Sequence, residues 1–174
     1  MLTFLRLNDK STEPIEAAIV RLLTERRQTL ALAESCTGGL LAHKITNVPG
    51  ASAVLLAGLV TYANAAKEKF LGVRAETLAA HGAVSEGIAR EMAEGARRET
   101  GADWALAVTG IAGPAGGTAE KPVGTVFIAL AAVDGTVVER KFNALGREAF
   151  KEATARQALE LLRRAILAEK NPQA

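Results

Sequence analysis

The stretch Thr29-Leu30-Ala31-Leu32-Ala33-Glu34-Ser35-Cys36-Thr37-Gly38-Gly39-Leu40-Leu41-Ala42-His43-Lys44-Ile45 decides how this chain is read. Thr29 to Ala33 is an apolar run of strand length. Glu34 to Gly39 breaks it, and Leu40 to Ile45 reads as a helix that ends before Pro49-Gly50. Strand, tight loop and helix in that order form the opening unit of an α/β fold. Two further apolar runs, Val54 to Tyr62 and Ala105 to Thr109, are followed by the short segments Ala63-Asn64 and Gly110 to Lys121. In open α/β sheets, ligands sit beyond the carboxyl ends of the strands. If these three strands are parallel neighbours, their loops meet at one pocket.

The remaining segments fit that frame. Ser11 is placed to cap a first helix starting near Thr12 and carrying Pro14 in its first turn, with Ile15, Ile19, Leu22 and Leu23 on one face. Asn64 is placed to cap a helix that runs to Leu71 and stops at Gly72. A short helix surrounds Ala75 to Ala80, and Ser85 opens a longer one that Gly101 ends. Val123 to Val133 and Thr136 to Phe142 flank Asp134-Gly135, a hairpin signal. Arg147 to Ala168 is a final amphipathic helix, and the tail Asn171 to Ala174 is expected to fray. The expected architecture is a three-layer α/β/α sandwich with a mixed sheet that includes a C-terminal β-hairpin.

Composition narrows the class. The 174 residues suit one domain spanning 1–174, with 1–10 and 171–174 peripheral. Hydrophobic residues make up 49% and charged ones 23%, which excludes disorder. Aromatics are only 4% against 35 alanines, so the core is aliphatic and closely packed. A net charge of +2 gives no reason to expect nucleic acid or a membrane as partner. One cysteine excludes a disulfide framework, and with two histidines a metal site is not expected. Met1 to Arg6 is too short an apolar run for a signal peptide, so a cytoplasmic protein is expected.

Chemistry concentrates in the loops. Ser35, Cys36 and Thr37 place three hydroxyl or thiol groups between a strand and a helix. Gly38 and Gly39 allow a sharp turn, and the unpaired N–H groups of the helix start suit an oxyanion or phosphate. The same residues also serve simply as helix caps. A nucleophilic serine needs a base. His43 and His81 have no orienting carboxylate in sequence, whereas Lys67 stands in the first turn of a helix, where the positive helix end disfavours an added cation. Tyr62, the only tyrosine, sits at a strand exit as pocket donor or packing residue. Gly110 to Gly117 is a candidate anion cradle, or a flexible connection. It matches neither the dinucleotide nor the phosphate-loop glycine pattern. Arg147, opening the last helix, can reach a phosphate.

Taken in order, Ala33-Glu34-Ser35-Cys36-Thr37-Gly38-Gly39, Val60-Thr61-Tyr62 with Asn64 and Lys67, His81-Gly82-Ala83-Val84-Ser85, Thr109-Gly110-Ile111-Ala112-Gly113-Pro114 and Lys121-Pro122-Val123-Gly124-Thr125-Val126 resemble the CinA C-terminal domain family. The resemblance runs from about Ile15 to Ile166. It implies an α/β/α sandwich in a homodimer or higher homo-oligomer, here in stand-alone form without the molybdopterin-binding-like module. The activity it implies is that of a nicotinamide-nucleotide amidohydrolase, which converts nicotinamide mononucleotide to nicotinate mononucleotide and ammonia. By the same resemblance Ser35 is the nucleophile and Lys67 the base, with Tyr62 in the same pocket. The expected binding set is Thr37, Gly38, Gly39, Thr109, Gly110, Gly113 and Arg147, with N–H groups near Thr37 and Gly38 on the oxyanion and no cofactor or metal. Relatives carry a Gly-Asp-Arg-like turn before the last helix. This chain has Ala144-Leu145-Gly146-Arg147, without the aspartate. Cys36 is the rival nucleophile. The competing reading is a non-catalytic nucleotide-binding or protein-interaction module linked to competence or the DNA-damage response.

Overall fold

A computed structural model describes residues 13–169. Alternation of large and small side chains organises it. In Leu30–Glu34 (β1), Trp104–Gly110 (β3) and Thr125–Ala132 (β4), leucine, tryptophan, valine and isoleucine take one face, and mostly alanine takes the other. The large face packs against Ile15–Arg26 (α1), Leu40–Thr46 (α2) and Arg147–Ala168 (α6). The alanine face, Ala31, Ala33, Ala105, Ala107, Ala129 and Ala131, lies under Glu86–Thr100 (α5), beside Leu71 of Asn64–Leu71 (α3). Ala75–His81 (α4) packs on α5. These six alanines let a helix approach that sheet face closely.

The sheet is mixed, in the order β2-β1-β3-β4-β5 with Leu55–Val60 (β2) and Gly135–Phe142 (β5) at its edges. The strands β2, β1 and β3 are parallel neighbours, and β4 and β5 form an antiparallel hairpin beside β3. The expected three-layer sandwich with its C-terminal hairpin is therefore present. The parallel trio on which a meeting of the three exits depended is present as well.

Local details differ from the sequence reading. Glu34 is the last residue of β1 rather than the first of the loop, and it is wholly buried. Asn64 does not cap α3. It is the first helical residue, and Ala63 holds the cap position without a side-chain hydrogen bond. The hairpin pairs Ala132 with Gly135, so the two-residue turn is Val133-Asp134, one position earlier than the Asp134-Gly135 signal. Pro14 occupies the cap position of α1 rather than its first turn. The expected Ser11 cap, the start at Thr12, Met1 to Arg6 and the tail from Asn171 lie outside the described residues. Ser85 does cap α5, its Oγ accepting from the Ile88 N–H at 3.4 Å, and Gly72 and Gly101 end α3 and α5 in the left-handed conformation. No helix among the described residues is long and apolar enough to cross a membrane.

Candidate active site

Three strand exits converge. The Ser35 N–H donates to Val108 O on β3 at 3.1 Å, and the Thr61 N–H donates to Glu34 O at 2.9 Å. Thr109 Oγ1 donates to Ala83 O at 2.7 Å, which ties the end of β3 to the segment before α5. Between these exits lies a cavity of about 270 Å³. Its wall is made by Ser35, Cys36, Tyr62 and Lys67, by Ala83 and Val84, by Thr109 to Gly113 with Ala115 and Gly116, and by Arg147.

Lys67 is the largest fully buried side chain among the described residues, 1% exposed. Its position follows from a short connection: β2 ends at Val60, α3 begins at Asn64, and the first turn of α3 swings the side chain back under the strand exit. Its Nζ contacts Thr61 O at 2.8 Å, Tyr62 O at 3.3 Å and Ser35 Oγ at 3.2 Å. Burial disfavours the ammonium form and pushes the pKa of Lys67 below its ordinary 10.5. A neutral amine has two N–H bonds and one lone pair. Two carbonyls take the two hydrogens, and the lone pair is left for the hydroxyl proton of Ser35.

Glu34 governs the loop, and nothing in the sequence reading gave it that part. Its Oε2 accepts from Thr37 Oγ1 at 2.7 Å and from the N–H groups of Gly39 and Leu41 at 3.0 Å, and its Oε1 accepts from the Ala42 N–H at 2.9 Å. A carboxylate thus caps α2 from inside and occupies the N-terminus where a ligand anion was expected. The Gly38 N–H donates to Ser35 O at 3.1 Å. Thr37, Gly38 and Gly39 accordingly do not line the cavity. Thr37 is buried, and the two glycines make the turn with φ of 62° and 97°. The available signal was a glutamate ahead of a Gly-Gly helix start that has no Ser, Asp or Asn in the cap position.

Cys36 is buried, and burial is the main cause that pushes its thiol up to about 12, with Glu34 adding to the rise. At neutral pH it is a thiol, not a thiolate. Neither histidine lines the cavity: His43 is exposed on α2 beside Asn47, and His81 is exposed at the end of α4. Tyr62 is 59% exposed at the cavity mouth.

The expected glycine loop does line the cavity and is held down on several sides. The Ile111 N–H donates to Thr125 O at 2.8 Å, Lys121 Nζ donates to His81 O at 2.6 Å, and Arg140 Nη2 donates to Glu120 O at 3.0 Å. Arg147 Nη1 donates to Gly113 O at 2.8 Å.

A family model for the CinA C-terminal domain matches residues 12–166. The chain belongs to the CinA C-terminal domain family. It is similar to a CinA-like protein of Anaeromyxobacter sp. (strain Fw109-5), 55% identical over 157 residues, covering 90% of this chain and 38% of that protein. A CinA-like protein of Geobacter sulfurreducens is 56% identical over 153 residues, covering 88% of this chain and 37% of that one. The chain thus spans under two-fifths of the length of these curated relatives. Among solved structures, the competence damage-inducible protein A (ComA) of Klebsiella pneumoniae subsp. pneumoniae MGH 78578 superimposes with a TM-score of 0.86 at 39% identity, covering 90% of this chain and 97% of that one. The competence/damage inducible protein CihA of Agrobacterium tumefaciens gives 0.81 at 46%, covering 87% and 94%.

Within this CinA-family domain, Ser35, Lys67, Tyr62, Thr109, Gly110, Gly113 and Arg147 surround one cavity, and Thr37, Gly38 and Gly39 stand behind its wall. Two of the lining side chains, Lys67 and Arg147, are basic, and among the described lining residues none is acidic.

Proposed function

We propose that this domain hydrolyses the carboxamide of nicotinamide mononucleotide, giving nicotinate mononucleotide and ammonia, with Ser35 as nucleophile and Lys67 as general base. The observation that carries this reading is the 3.2 Å separation of Lys67 Nζ and Ser35 Oγ, with the amine buried and two of its three directions taken by carbonyls.

Lys67 takes the Ser35 hydroxyl proton as Oγ bonds to the carboxamide carbon. We assign the resulting oxyanion to the N–H of Cys36, which lines the cavity, since the N–H groups of Gly38, Gly39, Leu41 and Ala42 already donate within the loop. Such a donor contributes about 3–4 kcal/mol to lowering the barrier. Lys67 returns the proton to the amide nitrogen, the C–N bond breaks, and ammonia leaves. Water then attacks the ester carbon, giving a proton to Lys67. The acyl–Oγ bond breaks, and that proton goes back to Ser35 Oγ.

The size and charge of the cavity support the substrate. About 270 Å³ falls near the low end of small-molecule sites, a size in keeping with a mononucleotide. Two basic side chains favour a ligand that carries a phosphate. The pyridinium draws electrons from the carboxamide and opposes protonation of Lys67. We further propose that the domain works as a homo-oligomer in the cytoplasm.

Ammonia release from nicotinamide mononucleotide, with mass spectrometry of the product, tests the reading. Turnover by the wild-type domain and none by Ser35→Ala supports it. Binding of the nucleotide without turnover moves the domain to the non-catalytic reading.

A further inference from the structure

Arg147 does not stand free at the cavity mouth. Its Nη1 donates to Gly113 O at 2.8 Å, and its Nη2 donates to Tyr62 Oη at 2.8 Å. Tyr62 leaves β2 on one side of the mouth, and Arg147 opens α6 on the other, 85 residues later in sequence. Both side chains are exposed, so water would serve either one as a partner. A neutral phenol is a weak acceptor for a guanidinium, which matches the forked oxygens of a phosphate. The wall beside them is the glycine loop, where Gly113 and Gly116 adopt φ of 76° and 94°. Among the described residues, no acceptor is bonded to the N–H groups of Gly113, Ala115 or Gly116. Arg147 and the residues carrying these N–H groups thus line the same cavity as Ser35 and Lys67.

We propose that Tyr62 is a specificity-determining residue whose hydroxyl holds the place of a ligand phosphate on Arg147. One arm of the guanidinium stays on Gly113 O as a pivot. The other exchanges Tyr62 Oη for a phosphate oxygen, which releases the phenol and opens the mouth. A ligand without a phosphate cannot make the exchange and meets a closed clasp. The inference deepens the amidohydrolase reading by assigning how that site selects phosphate-bearing substrates. It concerns the binding step and not the Ser35 chemistry.

The test uses inorganic phosphate as probe, by calorimetry and by thermal shift, on the wild-type chain, Tyr62→Phe, Arg147→Ala and the double variant. Tyr62→Phe removes the competing acceptor, so phosphate affinity rises about 2- to 10-fold, the range of one exposed hydrogen bond. Arg147→Ala lowers affinity, and the double variant shows no gain over Arg147→Ala. In turnover, Tyr62→Phe lowers KM for nicotinamide mononucleotide and lowers KM for the nucleoside lacking phosphate at least as much, because the mouth no longer closes against it. Phosphate affinity that is unchanged or weaker in Tyr62→Phe overturns the proposal, even if the wild type releases ammonia. A gain that survives in the double variant also overturns it. If the wild type releases no ammonia but Tyr62→Phe tightens phosphate, the amidohydrolase reading fails and the clasp stands. Circular dichroism checks each fold, and Tyr62→Leu, which also lacks the hydroxyl, serves if Tyr62→Phe is poorly folded.

Discussion

The buried amine of Lys67 stands 3.2 Å from the hydroxyl of Ser35, and the two residues are 32 positions apart in sequence. Parallel β1 and β2 place their exits side by side, and the short passage from Val60 to Asn64 turns α3 so that its first turn lies under Ser35. Lys67→Ala and Ser35→Ala should each lower ammonia release from nicotinamide mononucleotide by about 10²- to 10⁴-fold or more, the usual contribution of a positioned base or its nucleophile. Cys36→Ala should keep most of the activity. An inactive Cys36→Ala beside an active Ser35→Ala would move the nucleophile by one residue.

Burial of Lys67 also sets a pH dependence. Its folded pKa lies below the ordinary 10.5, so the folded state loses this proton first as pH rises. Between the folded pKa and 10.5 the unfolded chain holds more protons, and stability rises with pH from this group. Below the folded pKa both states are protonated, and the cost of the buried charge is fully felt. Urea denaturation across pH should show that rise in the wild type and not in Lys67→Met, once their common pH dependence is subtracted. The pH profile of kcat/KM should rise through the same folded pKa, since only the neutral amine accepts the Ser35 proton.

The thiol of Cys36, pushed up to about 12 chiefly by burial, should behave as an inert side chain. Iodoacetamide at pH 8 should leave the native domain unlabelled for hours and label it quickly in urea. Rapid alkylation of the folded protein would contradict the geometry around β1 and α2.

Much of this arrangement was legible in the sequence, and the exceptions share a cause. The strand, loop and helix around Ser35, the helix carrying Lys67 and the bounds of Arg147–Ala168 follow from period and punctuation, which are local signals. Glu34 was legible only as a loop residue. Its role depends on a side chain folding back onto N–H groups five to eight positions ahead, which no periodicity records. The Tyr62–Arg147 contact joins two segments that only the completed sheet brings together. The sharing of labour between leucine and alanine faces is visible in the strands, but which helices cover which face emerges from topology alone.

Glu34 gives a prediction about stability rather than chemistry. Glu34→Gln keeps the volume but turns an acceptor into an amide donor, which then faces one of the four donors that the carboxylate now satisfies. A cost of about 1–3 kcal/mol is expected, with Glu34→Ala at the top of that range or beyond, since all four donors lose their partner. Urea denaturation measures both. A neutral Glu34→Gln would mean that the inner cap contributes nothing to the loop.

The placement of Lys67 also depends on a residue that touches no part of the cavity. Gly95 on α5 packs against the end of α3 so tightly that a Cβ added there would stand 1.9 Å from Leu71 O and 2.8 Å from Leu71 C. These are backbone atoms, so no rotamer change relieves the overlap, and either α3 or α5 must move. α5 lies on the alanine face of the sheet with little room to retreat, and the displacement falls mainly on α3. Gly95→Ala should destabilise the fold by about 1–3 kcal/mol or more, despite the better helix propensity of alanine. Because α3 carries Lys67, the fraction that remains folded should lose activity through kcat, as the amine shifts away from Ser35. Gly95→Ala with unchanged stability and kcat would show that α3 is not wedged against α5 and that Lys67 owes its position to the β2 exit alone.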